Sequence, residues 1–238
     1  MKKTDELSIF FPFWNEEASI EKVVTEAIKI ADTVAEKWEI IIVDDGSTDG
    51  TPEIAKRLAD SDKRIRVITH HPNRGYGAAI RTGLENSKYQ YIVFTDGDLQ
   101  LDFSEVDKFI DAIEEADIVI GFRQKRRDKN LMKRLLLMYM LKAWAFVLFA
   151  VYVKDIDCAF KMFRKSAIEQ IMPLRSEGAM ITTEILAKAK RKNLRIKQIG
   201  VEHYPRKYGE QTGANVFVVI RAVLESLILW FDIRNKRF

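Results

Sequence analysis

Tyr91-Ile92-Val93-Phe94-Thr95-Asp96-Gly97-Asp98-Leu99-Gln100 joins a short apolar run to a turn that holds two carboxylates one glycine apart. A run this short and this apolar, stopped by an Asp/Gly turn, predicts a strand buried on both faces. The pattern recurs upstream. Leu7 to Phe13 leads into Pro12-Phe13-Trp14-Asn15-Glu16. Ile40 to Val43 leads into Asp44-Asp45-Gly46-Ser47-Thr48-Asp49-Gly50-Thr51. Ile65 to Ile68 precedes Asn73-Arg74-Gly75-Tyr76-Gly77. Between these runs, Glu16 to Glu36, Arg74 to Asn86 and Ser104 to Glu115 have helical spacing, with Ile20, Val23, Val24, Ala27, Ile28 and Ala31 on one side of the first. Short apolar strands alternating with amphipathic helices predict an α/β protein with a mostly parallel sheet flanked by helices. In such sheets the ligand crevice lies beyond the carboxyl ends of the strands, so the four polar turns are the candidate site.

The chain has 238 residues, of which 47% are hydrophobic and 31% charged, enough to bury one sizeable core. There is no repeat and no Pro/Gly/Ser linker. One domain is expected over residues 1–213, with 214–238 as a C-terminal amphipathic helix extending it. The net charge of +4 fits an anionic substrate or an anionic membrane surface. No nucleic-acid partner is expected. Cys158 is the only cysteine, which rules out an intrachain disulfide and points to a reducing compartment. Met1 to Ser8 is charged and lacks the pattern of a secretory signal, so a cytoplasmic location is expected.

Each turn suggests a chemistry. Asp96 and Asp98 are hard oxygen ligands, suited to Mg²⁺ or Mn²⁺, ions that keep substrate phosphates in their shell. Asp44 and Asp45, read as exposed at a strand end, would accept hydrogen bonds from a base or a ribose. Arg74 and Gly75, with Tyr76 and Gly77, offer a cation and a pliable backbone to phosphate. Thr51 is read as structural, beside Pro52 in the first turn of a helix.

Taken together and in order, these four motifs resemble glycosyltransferase family 2, and most closely its polyprenyl-phosphate (dolichyl-phosphate) mannose and glucose synthases. The resemblance spans roughly residues 7 to 213. It implies a GT-A-type fold, inversion at the anomeric carbon and use of Mg²⁺ or Mn²⁺. It implies that Pro12, Asn15, Glu16 and Asp45 line the nucleotide pocket. Asp96 and Asp98 would bind the metal, with Gln100 beside them. Gly121-Phe122-Arg123 after a strand at Asp117 to Ile120, Arg134, and Asp155-Ile156-Asp157-Cys158-Ala159-Phe160-Lys161 resemble the lipid-phosphate branch. Ala159 departs from that branch's usual glycine. His203 to Gly213 resembles the segment that closes over the diphosphate, with Arg206 as its cation.

The expected reaction moves a hexose from a nucleotide sugar, of the GDP-mannose or UDP-glucose type, to a polyprenyl or dolichyl phosphate. Asp98, Arg206 and Asp155 are the expected catalytic residues, and Arg123 and Arg134 the acceptor-phosphate residues. A phosphate acceptor, with its second pKa near ~6, needs no strong base. The alternative is a soluble family 2 enzyme with a saccharide or other hydroxyl acceptor, which would need a base among Asp155, Asp157 and Glu184. Two segments, Leu135 to Val153 and Val216 to Ile233, are unusually apolar. Lys142 in the middle of the first is costly in hydrocarbon. The expectation is a helix lying on the membrane surface or against a partner, ahead of a buried core helix and, last, a true span, with the protein peripheral at the cytoplasmic face or working with a separate membrane partner.

Overall fold

The computed structural model describes residues 3–124, 143–144, 146–206 and 216–235. A single seven-stranded sheet organises them. Its strands are β1 (Thr4–Phe13), β2 (Ala35–Asp44), β3 (Ile65–Thr69), β4 (Tyr91–Phe94), β5 (Ile118–Arg123), β6 (Lys161–Arg164) and β7 (Ile196–Val201). They lie in the order β3-β2-β1-β4-β6-β5-β7. The pairings β1/β2, β1/β4, β2/β3 and β5/β7 are parallel, while β6 runs antiparallel to both β4 and β5.

Apolar runs without alternation imply burial on both faces, and the sheet shows it. Leu7, Ile9, Phe11, Ile40 and Ile42 pack on one side with α1 (Ile20–Val34) and α4 (Val106–Ile113). Phe10, Ile41, Val43, Ile92 and Phe94 pack on the other with α3 (Tyr76–Asn86), α5 (Lys165–Ile171) and α6 (Ile181–Arg191). Helix α2 (Thr51–Ser61) lies between β2 and β3 in the chain and α7 (Val216–Arg234) closes the described residues. Phe94 stacks on Phe10 at 4.9 Å and on Phe163 at 6.1 Å. Such pairs add about 0.5–1.5 kcal/mol each beyond the area they bury, and here they lock β6 against β4.

Several boundaries differ from the sequence reading. The expected helix Glu16 to Glu36 runs only from Ile20 to Val34, because Ala35 already pairs with Thr4 in the sheet. Ala35 and Trp38 are buried while Glu36 and Lys37 are exposed, so strand pairing overrides the helix preference of those two charged residues. The helix expected at Arg74 starts at Tyr76, and Ser104 to Glu115 splits into a 3₁₀ turn, Phe103–Glu105, followed by α4. Arg123 is the last residue of β5, opposite Val201, and does not follow the strand.

Of Leu135 to Val153, residues 143–144 and 146–149 are helical, while Val151 and Val153 turn into the core. Arg134 lies outside the described residues. The C-terminal apolar segment is helical as expected, and Leu229 and Ile233 anchor it to the core. Among the described residues no helix is long and apolar enough to cross a membrane.

Candidate active site

The turns after β1 and β2 are laced together by the side chains that the motifs supply. The Asn15 amide donates to Ser47 Oγ (2.9 Å), and Asn15 Oδ1 accepts from the Thr48 amide (2.8 Å). The Glu16 amide donates to Thr51 Oγ1 (2.9 Å) and the Glu17 amide to Asp49 Oδ2 (3.1 Å). Thr51 is structural, as read: its hydroxyl is buried in this seam, and its amide is capped by Asp49 Oδ1 at 3.0 Å. Asn15 adopts φ +53°, a conformation that asparagine tolerates better than most residues. Pro12 sits in β1 opposite Val43 and carries the chain into this seam.

The acidic pair Asp44-Asp45 corrects the sequence reading. Neither residue is exposed: their accessibilities are 0% and 4%. Asp45 is the hub of the third turn. Its Oδ1 accepts from the Arg74 amide (2.9 Å) and meets His70 Nδ1 (2.6 Å), and its Oδ2 accepts from the Gly75 amide (2.8 Å). His70 Nε2 reaches Thr82 Oγ1 at 2.9 Å. Asp44 Oδ1 accepts from the Ser47 amide (3.0 Å), and its buried Oδ2 has no hydrogen-bond partner among the described residues.

The Arg74–Gly77 turn is corrected too. Three of its backbone donors are already used, Arg74 and Gly75 by Asp45 and Gly77 by the Glu177 carbonyl at 2.8 Å. Gly75 has φ +98°, and a Cβ there would fall 2.6 Å from Glu177 O. The glycines therefore serve close packing of the 176–178 segment on the start of α3, not a pliable phosphate loop.

The Asp96-Gly97-Asp98 turn sits beside this seam. Ser19 Oγ, at the start of α1, donates to Gly97 O at 2.7 Å. A Cβ on residue 97 would lie 2.2 Å from Phe13 Cε1, so the residue between the two carboxylates has to be glycine. Tyr76 Oη donates to Asp96 Oδ1 (2.9 Å), and the Gln100 amide donates to Asp98 Oδ1 (3.1 Å). One oxygen of each carboxylate is thus oriented by the protein. The turn is also tied to the segment after β7, since the Tyr204 amide donates to Gln100 O at 2.8 Å and Leu101 bridges His203. That tie delivers Arg206, whose guanidinium meets Glu16 Oε1 and lies 3.4 Å from Asp98 Oδ2. His203, near Gln100 Nε2 at 3.4 Å, is buried.

Electrostatics mark the same spot. Burial, then the charge of Asp98, raises Asp96 to about 7, against the opposing pull of Tyr76, Lys161 and Arg123. Burial also raises Asp98 and Glu16, and the Arg206 charge opposes both shifts. Two carboxylates, Asp98 buried and Asp96 half-buried, each with one oxygen positioned, form a donor set suited to Mg²⁺ or Mn²⁺. Among the described residues no cluster of three or more His, Cys, Asp or Glu stands ready for a metal. A two-carboxylate site of this kind completes its shell with substrate phosphate and water.

These shifts set a pH dependence for metal-free protein. A carboxyl raised in the folded state gives full stability below its unfolded value of 3.8, which is lost as pH rises through about 7. Asp96→Asn removes that loss. The variant is expected to melt about 2–4 °C above the metal-free parent at pH 8, the effect of ~1 kcal/mol on a domain this size, and level with it at pH 4. Identical melting curves at both pH values in chelator would refute the raised carboxyl.

A second cationic patch adjoins the first. Arg123 forks onto Asp155, with Nε to Oδ2 at 2.7 Å and Nη2 to Oδ1 at 2.9 Å. Lys161, fully buried at the start of β6, donates to the carbonyls of Ile156 and Cys158 and fixes the loop that carries Asp155. Burial lowers the Lys161 ammonium and raises the Cys158 thiol to about 11. Glu184 does not face this patch. Its oxygens accept from the Arg175 and Ser176 amides and from Lys188 Nζ, so it holds the 174–178 loop. Ser19 is the site residue that sequence reading missed, and Tyr76 reads from sequence only as part of the phosphate turn, without its contact to Asp96. Serine before a helix reads as a cap, and nothing in the sequence says which carboxylate a tyrosine meets.

Comparison with known proteins agrees with this geometry. The glycosyl transferase family 2 profile matches residues 8–172. The dolichyl-phosphate beta-glucosyltransferase of Saccharomyces cerevisiae is 32% identical, over 91% of this chain and 71% of its own. The dodecaprenyl-phosphate galacturonate synthase of Rhizobium johnstonii is 27% identical, over 97% of this chain and 68% of its own. Glucosyl-3-phosphoglycerate synthase of Mycobacterium tuberculosis, solved with Mn²⁺, UDP and glucosyl-3-phosphoglycerate, superposes with a TM-score of 0.68 at 21% identity. The match covers 95% of this chain and 80% of that one, and it supports the expected GT-A-type fold. A family profile that spans residues 8–172, together with 32% identity to a relative covered over 71% of its length, places this chain in glycosyl transferase family 2.

Proposed function

We propose that the chain transfers a hexose from a nucleoside-diphosphate sugar to a polyprenyl phosphate with inversion, using Mg²⁺ or Mn²⁺. The observation that carries this reading is Arg206 set against Asp98 and Glu16 beside Asp96. Two metal-binding carboxylates and a guanidinium fork meet at one point, where a diphosphate leaving group needs its charge matched. Asp96 and Asp98 would hold a divalent ion, which would supply positive charge to that diphosphate. Arg206 then trades its carboxylate partners for phosphate oxygens. Asn15, Glu16 and the loops that Asp44 and Asp45 hold shape the nucleotide side, with Pro12 beneath. Arg74 and Gly75 lie at its rim, and Gln100 links the metal turn to the Arg206 segment.

Arg123 and Arg134 hold the acceptor phosphate in this reading. Asp155 keeps the Arg123 fork in one orientation and so acts through it. A phosphate dianion attacks without a general base. Of the three carboxylates a hydroxyl acceptor could use as base, Asp155 is spent on Arg123 and Glu184 on loop amides, which leaves exposed Asp157 as the residue that reading would need.

The lipid also suits the outer surface. Phe146, Val147, Tyr152, Leu227, Ile228 and Phe231 are exposed, and the Trp144 Nε1–Ser226 Oγ hydrogen bond (2.8 Å) joins the two segments that bear them. We assign this face to a membrane surface at the cytoplasmic side, with the chain peripheral, and 214–238 to the same domain as 1–213.

The test supplies polyprenyl phosphate in detergent with UDP-glucose or GDP-mannose labelled in the sugar. Label that moves into organic solvent only when lipid phosphate and Mn²⁺ are both present supports the assignment. Label that stays water-soluble with every lipid phosphate overturns it.

A further inference from the structure

Asp96 needs a hydrogen-bond donor to fix which of its oxygens faces the turn, and the donor comes from a different element. Tyr76 is the first residue of α3 and its hydroxyl lies 2.9 Å from Asp96 Oδ1. Its backbone is held on both sides. The Gly75 amide is bound by Asp45, the Gly77 amide by Glu177 O, and a Cβ on Gly77 would lie 2.6 Å from Ser176 O. The start of α3 is therefore anchored without the tyrosine hydroxyl. The ring is 36% exposed and belongs to neither core cluster. A hydroxyl that the fold does not use, aimed at one of two carboxylates meant for a cation, is the arrangement of an outer-shell partner.

Resting on the proposed metal-dependent reading, we infer that Tyr76 is a positioning residue that presents Asp96 to the divalent ion. It holds Oδ1, as the Gln100 amide holds Asp98 Oδ1, and so turns the remaining oxygens of the two carboxylates toward a common ion. Tyr76 itself touches neither metal nor sugar in this role.

The test compares parent, Tyr76→Phe and Tyr76→Leu for Mn²⁺ binding, by the paramagnetic signal of free Mn²⁺, with Mn²⁺ alone and with Mn²⁺ plus UDP or GDP. Both variants are expected to bind Mn²⁺ about 10-fold more weakly, the usual loss for an outer-shell partner. Sugar transfer by Tyr76→Phe should fall at limiting Mn²⁺ and recover in excess Mn²⁺. A merely structural residue would give a loss that excess Mn²⁺ does not restore. Parental Mn²⁺ affinity in Tyr76→Phe overturns the inference, and so does a defect confined to Tyr76→Leu, which would show that the ring matters and the hydroxyl does not. If the parent binds Mn²⁺ with neither nucleotide, the metal-dependent reading falls and takes the inference with it. If the parent binds and Tyr76→Phe matches it, only the inference falls.

Discussion

Asp98→Asn is expected to lower the rate of sugar transfer by about 10³-fold while leaving the metal-free protein at least as stable as its parent. Asparagine keeps an oxygen for the Gln100 amide, so the turn retains its shape. What disappears is one of the two negative charges that the proposed cation site would use. Burial already raises Asp98 toward its neutral form, so removing the charge relieves the empty fold. A large kinetic loss with no loss of melting temperature separates a metal ligand from a structural aspartate. Steady-state transfer over a Mn²⁺ series, with melting curves in chelator, makes the comparison. A variant that keeps a tenth or more of the parental rate would rule out Asp98 as a ligand.

Arg206→Ala is expected to cost about 10²–10³-fold in kcat, the range for losing one fixed charge-stabilising group at a leaving group. Arg206→Lys should recover only part of that, because an ammonium cannot span two oxygens as a fork does. The side chain is partly exposed and its partners are the carboxylates of Glu16 and Asp98, so neither substitution opens the core. Single-turnover measurements at saturating donor isolate the step. The competing outcome is a rise in the donor KM with kcat intact, which would make Arg206 a ground-state binding residue.

The sequence revealed those parts of the site that depend on near neighbours. Strand period and turn chemistry located all four turns, while the spacing Asp96-Gly97-Asp98 alone fits a plain Asp/Gly turn as well as a cation site, and the family resemblance is what favours the second. The resemblance to a family then supplied Arg206, which lies 108 residues from the Asp98 it meets. Contacts of that range follow from sheet order, and β6 enters the order from late in the chain, which no local pattern announces. Asp45 and Glu184 show the complementary failure. A carboxylate at a strand end or helix start looks available for ligand, yet backbone amides take up the oxygens of both. Whether an acidic side chain serves the substrate or the neighbouring loop depends on which amides fold back onto it. The early end of α1 has a similar origin: the ladder between Thr4 and Ala35 decides it, and helix propensity does not.

Inserting Lys161–Arg164 between β4 and β5 has a consequence for the nascent chain. Until these four residues leave the ribosome, Tyr91–Phe94 is an open edge with one row of amides and carbonyls unpaired. Ile118–Arg123 has meanwhile no attachment to the earlier strands, since both of its partners come later in synthesis. The half built on β1 to β4, with its four polar turns, can therefore assemble first, while the half that bears Arg123 waits for one short strand to stitch it on.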